Sequence, residues 1–487
     1  MPPLHALLFL ILCSLSVVSP IAQELSDEGV KEFSALSIAN RYEINSGINS
    51  ELREFYVSLP ASYESGQDHY PVLYLLDADQ NMEHAVASAR MLAQWRGVPE
   101  IIIVGIPSTN RLRDYTPTQV VSYSDQSGGG EQFVAFIEQV LIPHIDANYR
   151  THSFRILSGH SLSGLLAANE LAQASDTFDA YIIIAPSLWW NDFEMLENAP
   201  QQFMQNDELT AAAYFGIGEH DGFGMKQELK RYVDAIAAAD NELLRFDHKI
   251  YSGEGHMSAP MPVTYDGLLF VFSDIPYAEE NWEHFSTAGF LAREQGLQEK
   301  YGATAVQTAE TYVGLANYLL RQGDFEGAVA VFARNAEIYP GFAPYLAWLA
   351  NAYVLNGEIE NAIIEYEKAY ELTISSINGQ GNANVYLEQL KLLRQPLVLS
   401  ETNLPGLVGC YTNGEQVYQF TTENGRFFGH HDEPRRFELF AKNAKQFFMR
   451  VPPENSFSFV EEGARNVLLI NTFGEQLRLP RVEGRCD

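Results

Sequence analysis

Through the first half of the chain, short apolar runs alternate with longer stretches of mixed polarity. The runs fall at residues 70–76, 101–106, 154–157, 181–184 and 214–217. Runs that are apolar at consecutive positions suit strands buried on both faces. Spaced by helical lengths, they predict a mostly parallel sheet covered by helices on both sides. A further strand-like stretch at 53–59 follows a turn signal at Asn45-Ser46-Gly47. This α/β domain is expected to span residues 30–280.

Beyond it the pattern changes to a period of 34. Leu315 and Leu349, Ala316 and Ala350, Gly323 and Gly357, Ala328 and Ala362, and Phe332 and Tyr366 are each 34 positions apart. Small and aromatic positions in this order resemble tetratricopeptide repeats, in which the glycine turns between two helices and the alanines admit close approach. Pro340 closes the first repeat, and Ile374 stands at the matching place in the second. A helix over 385–394 would cap the stack. The helical segment is placed at 305–395, and so short a stack is expected to pack on its neighbours. From 404 to 487 the period is that of strands: residues 417–420, 437–440, 446–449, 456–459 and 466–470 are β-type runs punctuated by Gly, Asn or Pro. They predict a small antiparallel barrel or sandwich, similar to the lipocalin-like modules appended to secreted hydrolases.

Composition narrows the setting. The 487 residues carry 31 basic and 63 acidic side chains, a net charge of −32. A surface this acidic argues against nucleic acid or anionic membranes as partners. Residues 1–23 contain no Lys, Arg, Asp or Glu and hold an apolar centre at 7–18, which predicts a secretion signal cleaved near Ala22. The mature chain is then expected outside the cytoplasm, periplasmic or extracellular, with no integral membrane segment. Only Cys410 and Cys486 remain after that cleavage, and in an exported protein they are a disulfide candidate.

The candidate chemistry centres on Ser158-Gly159-His160-Ser161-Leu162-Ser163-Gly164, between a short strand and a helix-like stretch. A strand, a tight turn with serine at its apex and then a helix is the context of a nucleophile elbow. Such a turn needs small residues two positions either side of the serine, and Gly159 and Ser163 supply them. A serine nucleophile needs a base, and the base an orienting acid. His256, in the glycine-flanked loop Gly253-Glu254-Gly255-His256, is the expected base, and His248 is expected to be structural. The acid should follow the strand at 214–217, where Asp221 is favoured and Glu219 is the alternative. An oxyanion hole takes one backbone N–H from Leu162 and a second from Ala78 or Asp79, of which we assign Asp79. Trp189 and Trp190 either line the substrate pocket or pack at a strand end. Residues 108–130 either edge the site or form an inert loop. No metal site and no cofactor are expected: Glu219, His220 and Asp221 are adjacent rather than on one helical face, and no H-E-x-x-H is present.

Several segments together resemble the esterase branch of the α/β hydrolases, which includes enterochelin-type siderophore esterases, S-formylglutathione hydrolases and mycolyltransferases. The segments are Tyr70-Pro71-Val72-Leu73-Tyr74-Leu75-Leu76-Asp77, Arg111 with Asp114-Tyr115-Thr116-Pro117, Ile142-Pro143-His144-Ile145, Ala185-Pro186-Ser187-Leu188-Trp189-Trp190 and Gly253-Glu254-Gly255-His256. Ala78 and Ser163 stand where the family usually has glycine. The resemblance implies an α/β-hydrolase sheet and hydrolysis of a small-molecule ester by a Ser161–His256–Asp221 triad through an acyl-enzyme. It leaves the particular ester open. The alternatives are an acyltransferase on the same triad, or a binding or scaffold protein in which the repeats engage a protein partner and the hydrolase domain is vestigial.

Overall fold

The computed structural model describes residues 37–47, 51–123, 126–222, 224–375, 380–395, 404–431, 436–450, 456–463, 465–472 and 475–482. The signal expected at 1–23 and the expected disulfide partner Cys486 lie outside the described residues.

Eight strands form one sheet in the order β1-β2-β4-β3-β5-β6-β7-β8. They are β1 Asn40–Asn45, β2 Leu52–Ser58, β3 Tyr70–Leu76, β4 Ile102–Ile106, β5 Thr151–His160, β6 Ala180–Ile184, β7 Ala211–Gly218 and β8 Leu244–Tyr251. β1, β2 and β4 pair antiparallel, and the strands from β4 across to β8 run parallel. Every residue of β3, β4, β6 and β7 is buried, which is why these strands read as unbroken apolar runs. β8 is the exposed edge, and its polar sequence Leu-Arg-Phe-Asp-His-Lys-Ile-Tyr hides it from that pattern.

From β3 the chain steps one way across the sheet to β4; from β5 it steps the other way to β6, β7 and β8. Right-handed crossovers then put the intervening helices on opposite faces. Ala78–Trp95 packs against Pro260–Val271, whereas Leu162–Ala172, Trp190–Gln205 and Met225–Ala238 pack in series. The change of direction lies between β3 and β5, whose carboxyl ends therefore border a crevice. Open α/β sheets bind ligands at such a point.

The helical segment comprises Ala309–Gln322, Phe325–Ile338, Ala343–Leu355, Ile359–Ser375 and Gln380–Arg394. Gly323 and Gly357 turn between helices with φ of 82° and 87°. Ala316, Ala328, Ala350 and Ala362 are fully buried where the helices meet. One helix, Thr287–Tyr301, falls between the two expected domains. Leu297 and Tyr301 join the core of the sheet domain and Phe290 joins that of the repeats, so this helix couples the two.

The C-terminal strands are β9 Gly409–Thr412, β10 Val417–Glu423, β11 Arg426–His431, β12 Arg436–Asn443, β13 Gln446–Phe448, β14 Ser456–Glu462, β15 Arg465–Thr472 and β16 Glu475–Val482. β9 pairs with both β10 and β16, which closes a barrel. Tyr411, Phe420, Phe427, Phe447, Phe457 and Phe459 fill its interior. Cys410 on β9 is buried and disulfide-bonded. The barrel docks on the repeats through Arg450, which is 4% exposed. Its guanidinium donates to Asn351 Oδ1 at 3.0 Å and contacts the Tyr366 hydroxyl at 3.4 Å. Among the described residues, no helix is long and apolar enough to cross a membrane.

Candidate active site

Ser161 sits between β5 and the helix Leu162–Ala172 with φ 63° and ψ −115°. Side chains other than glycine rarely adopt a positive φ, so neighbouring contacts must hold this conformation. Ser161 N–H donates to the Ile184 carbonyl at 2.9 Å, and its own carbonyl accepts from Ser187 N–H at 3.0 Å. Both ties come from the carboxyl end of β6. A Cβ on Gly159 would stand 2.2 Å from the Ser163 carbonyl oxygen, so the turn closes only over glycine there.

The structure brings Ser161, His256 and Asp221 together. His256 Nε2 lies 3.0 Å from Ser161 Oγ, and His256 Nδ1 lies 3.0 Å from both carboxylate oxygens of Asp221. The carboxylate fixes the proton on Nδ1 and leaves Nε2 free to accept from the serine hydroxyl. Asp221 is 8% exposed and accepts from Gly222 N–H at 3.1 Å. Glu219, the alternative acid, turns away: it accepts from Gly253 N–H at 3.0 Å and from Ser252 Oγ at 2.8 Å. Those bonds hold its carboxyl below the usual range and pin the start of the histidine loop. A Cβ on Gly218 would stand 2.5 Å from the Glu254 carbonyl oxygen, so a bare β7 end lets the loop fold across it. His220 is exposed, and His248 lies in β8.

Leu162 and Ala78 each open a helix, and Asp79 follows in the first turn of the second. The first amides of a helix have no intrahelical acceptor, and the dipole there favours negative charge. Ser163 Oγ donates to Asp77 Oδ2 at 2.8 Å, so the two helix starts stand side by side at the switch point. Ala78 is buried and Asp79 is exposed.

Asp77 stands immediately before the helix Ala78–Trp95. In the structure its side chain makes no cap bond. Arg111 holds it from two nitrogens at 2.9 and 3.0 Å. Ser163, the departure from glycine, also accepts from His160 N–H at 2.7 Å. Arg111, Asp77 and Ser163 thus form a polar brace beneath the elbow. The brace joins residues up to 86 positions apart, and no local pattern announces it. Two further neighbours were missed. Ser187 Oγ is 3.3 Å from Ser161 Oγ, and the His160 ring packs 4.6 Å from that of His256. Burial pushes the His160 imidazole down to about 3, so it stays neutral beside the base.

The two tryptophans have different surroundings. Trp190 is 1% exposed, and its indole N–H donates to the Thr118 carbonyl at 3.2 Å. Trp189 is half-buried and meets the exposed Tyr123 at 5.8 Å between ring centres. Past them Asn191, Asp192 and Phe193 all take positive φ, and Phe193 stays exposed. In the 108–130 loop, Gly128 N–H donates to Thr116 Oγ1 at 2.8 Å and Gly129 N–H to the Arg113 carbonyl at 2.9 Å, which ties that end of the loop down. Among the described residues, no three His, Cys, Asp or Glu side chains converge as a metal site would require.

Residues 46–259 match the model of the family described as Putative esterase, and residues 343–373 match that of the tetratricopeptide repeat. The chain is 30% identical over 219 residues to the ferri-bacillibactin esterase BesA of Bacillus subtilis (strain 168), covering 40% of this chain and 75% of that one. It is 26% identical over 264 residues to the siderophore triacetylfusarinine C esterase of Aspergillus fumigatus, covering 45% and 89%. Among solved structures, an IroE-like serine hydrolase from Shewanella oneidensis superposes with a TM-score of 0.52 at 27% identity, covering 61% of this chain and 99% of that one.

Proposed function

The chain belongs to this esterase family, and from that premise we propose that it is an exported serine esterase in which Ser161, His256 and Asp221 form the catalytic triad. The observation that carries the reading is the unbroken path from Ser161 Oγ through both nitrogens of His256 to the Asp221 carboxylate, with 3.0 Å at each step.

In this mechanism His256 Nε2 takes the hydroxyl proton as Ser161 Oγ attacks the ester carbonyl. Asp221 keeps the imidazole in the productive tautomer and stabilises the imidazolium. The tetrahedral oxyanion accepts from the Leu162 and Asp79 amides, aided by two helix N-termini. His256 then returns the proton to the leaving alcohol, and water, activated by the same nitrogen, resolves the acyl-enzyme. The substrate class is a siderophore-type ester with an aromatic or apolar part. It is supported by the substrates named for the two curated relatives and by the half-buried Trp189, two positions beyond the Ser187 whose hydroxyl lies 3.3 Å from Ser161 Oγ. Export is supported by the apolar start of the chain and by the disulfide-bonded state of Cys410, since such bonds persist in oxidising compartments.

Hydrolysis of a short p-nitrophenyl ester tests the mechanism. Ser161→Ala should lower kcat/KM by roughly three orders of magnitude or more and abolish labelling by a fluorophosphonate. Retained turnover in that variant would refute the assignment.

A further inference from the structure

A cleft of about 570 Å³ lies between the repeats and the barrel. Its size is that of a small-molecule site. One wall is helical, with Trp348, Asn351, Tyr386 and Gln389; the other is the barrel's β13, with Gln446 and Phe448. None of these residues belongs to the triad domain.

The chemistry of the lining is selective. Of the five aromatic side chains in the lining, Trp348, Tyr386 and Phe448 offer flat apolar faces. Asn351, Gln389 and Gln446 are neutral amides: the oxygens of Asn351 and Gln446 already accept, from Arg450 and Tyr366 and from Asn443, which leaves their NH2 groups as donors to a ligand. The two charged residues of the lining, Glu388 and Lys442, are spent on one another at 2.8 Å. Among the described residues the lining therefore presents no unpaired cation to a carboxylate or phosphate, and the net charge of −32 further disfavours an acidic ligand. Gln389 Oε1 is buried and has no hydrogen-bond partner among the described residues. A buried acceptor without a donor is costly, and a ligand hydroxyl would supply one.

We propose that this cleft is a binding site for a neutral carbohydrate. A sugar ring offers what the lining asks for: apolar C–H faces to stack on Trp348 or Tyr386, ringed by hydroxyls that donate and accept. An uncharged peptide could also serve Gln389 with an N–H, but its backbone offers no C–H ring face edged by hydroxyls to lie on the aromatic wall, and it is the competitor in the test below. The site would hold the esterase on a glycan surface, or would bind a glycosylated form of its ester. It depends on nothing proposed for the triad.

Titration of the full chain with cellobiose, maltose, lactose and N,N′-diacetylchitobiose, followed by saturation-transfer NMR and tryptophan fluorescence, tests this. At least one disaccharide should bind saturably. Gln389→Ala and Gln446→Ala should each weaken it by about tenfold, the effect of one lost hydrogen bond. Both variants should keep wild-type turnover of a soluble p-nitrophenyl ester, and Ser161→Ala should bind the sugar unchanged. That separates a failure here from a failure of the triad assignment. The proposal is overturned if none of the four sugars binds, if binding survives both substitutions, or if tetra-alanine displaces the sugar at lower concentration.

Discussion

At Ser163 the chain departs from the usual glycine of a nucleophile turn, and the hydroxyl that results is fully used. It links the elbow to Asp77, which Arg111 holds from the other side. The acid of the triad is likewise a single-residue matter. Asp221 and Glu219 both follow the same strand, Asp221 being the favoured acid, and only Asp221 reaches His256. Asp221→Asn should cost about three to four orders of magnitude in kcat, because the imidazole then loses its tautomer, whereas Glu219→Gln should leave kcat within a few-fold. Steady-state kinetics on one ester compare the two. Glu170, in the helix after the nucleophile, carries a pH-dependent cost. Burial raises its carboxyl from 4.5 to about 7. Between those values the folded chain keeps a proton that the unfolded chain has released, so its contribution to stability falls as pH rises through the window and is flat above it. Glu170→Gln should therefore gain stability relative to wild type on going from about pH 5 to about pH 8, by up to about 3 kcal/mol in denaturant unfolding.

Between elements, the strand–turn–helix at 151–172 shows how backbone geometry dictates residue type. Gly159 is required by the Ser163 carbonyl, and Gly164 by the Ile184 carbonyl 2.8 Å from where its Cβ would lie. Gly159→Ala should lower stability by about 1–3 kcal/mol through overpacking, and should lower kcat more than it raises KM, because the nucleophile moves. Thermal unfolding and kinetics read the two effects. The elements themselves were mostly legible in the pattern. The buried strands were continuous apolar runs, and the repeat helices kept a period of 34 with glycine at each turn. The edge strand β8 is not among those apolar runs, because exposure leaves its side chains polar. The helix Thr287–Tyr301 was missed because it divides its apolar residues between two cores.

Across the whole molecule, polar contacts tie each body to the next. Glu294 in the connecting helix accepts from Arg334 at 2.6 Å, which ties the repeats to the sheet domain. Arg450 ties the barrel to the repeats, its guanidinium lying 5.0 Å from the Phe440 and Phe448 ring centres. Arg450→Ala would remove a charged donor from Asn351 Oδ1, which keeps the Tyr366 hydroxyl at 2.7 Å, at about 1.5–3 kcal/mol for the lost hydrogen bond. Denaturant unfolding should show that loss, with esterase turnover unchanged. The barrel closes at β9 and β16 and is filled with rings, so the cleft it forms with the repeats lies outside its walls.

The sequence by itself determined the things that depend on near neighbours along the chain: which runs are strands, where the repeats turn, and which serine and histidine sit in loops fit for chemistry. Those follow from local sterics and from the period of burial. The tertiary structure decided what depends on distance across the sheet. It set Asp221 rather than Glu219 against the imidazole, put the Arg111–Asp77–Ser163 brace under the nucleophile, and made a closed barrel of the tail. Each of these is a contact between residues dozens of positions apart, set by strand order and crossover handedness, and a local pattern carries no record of it.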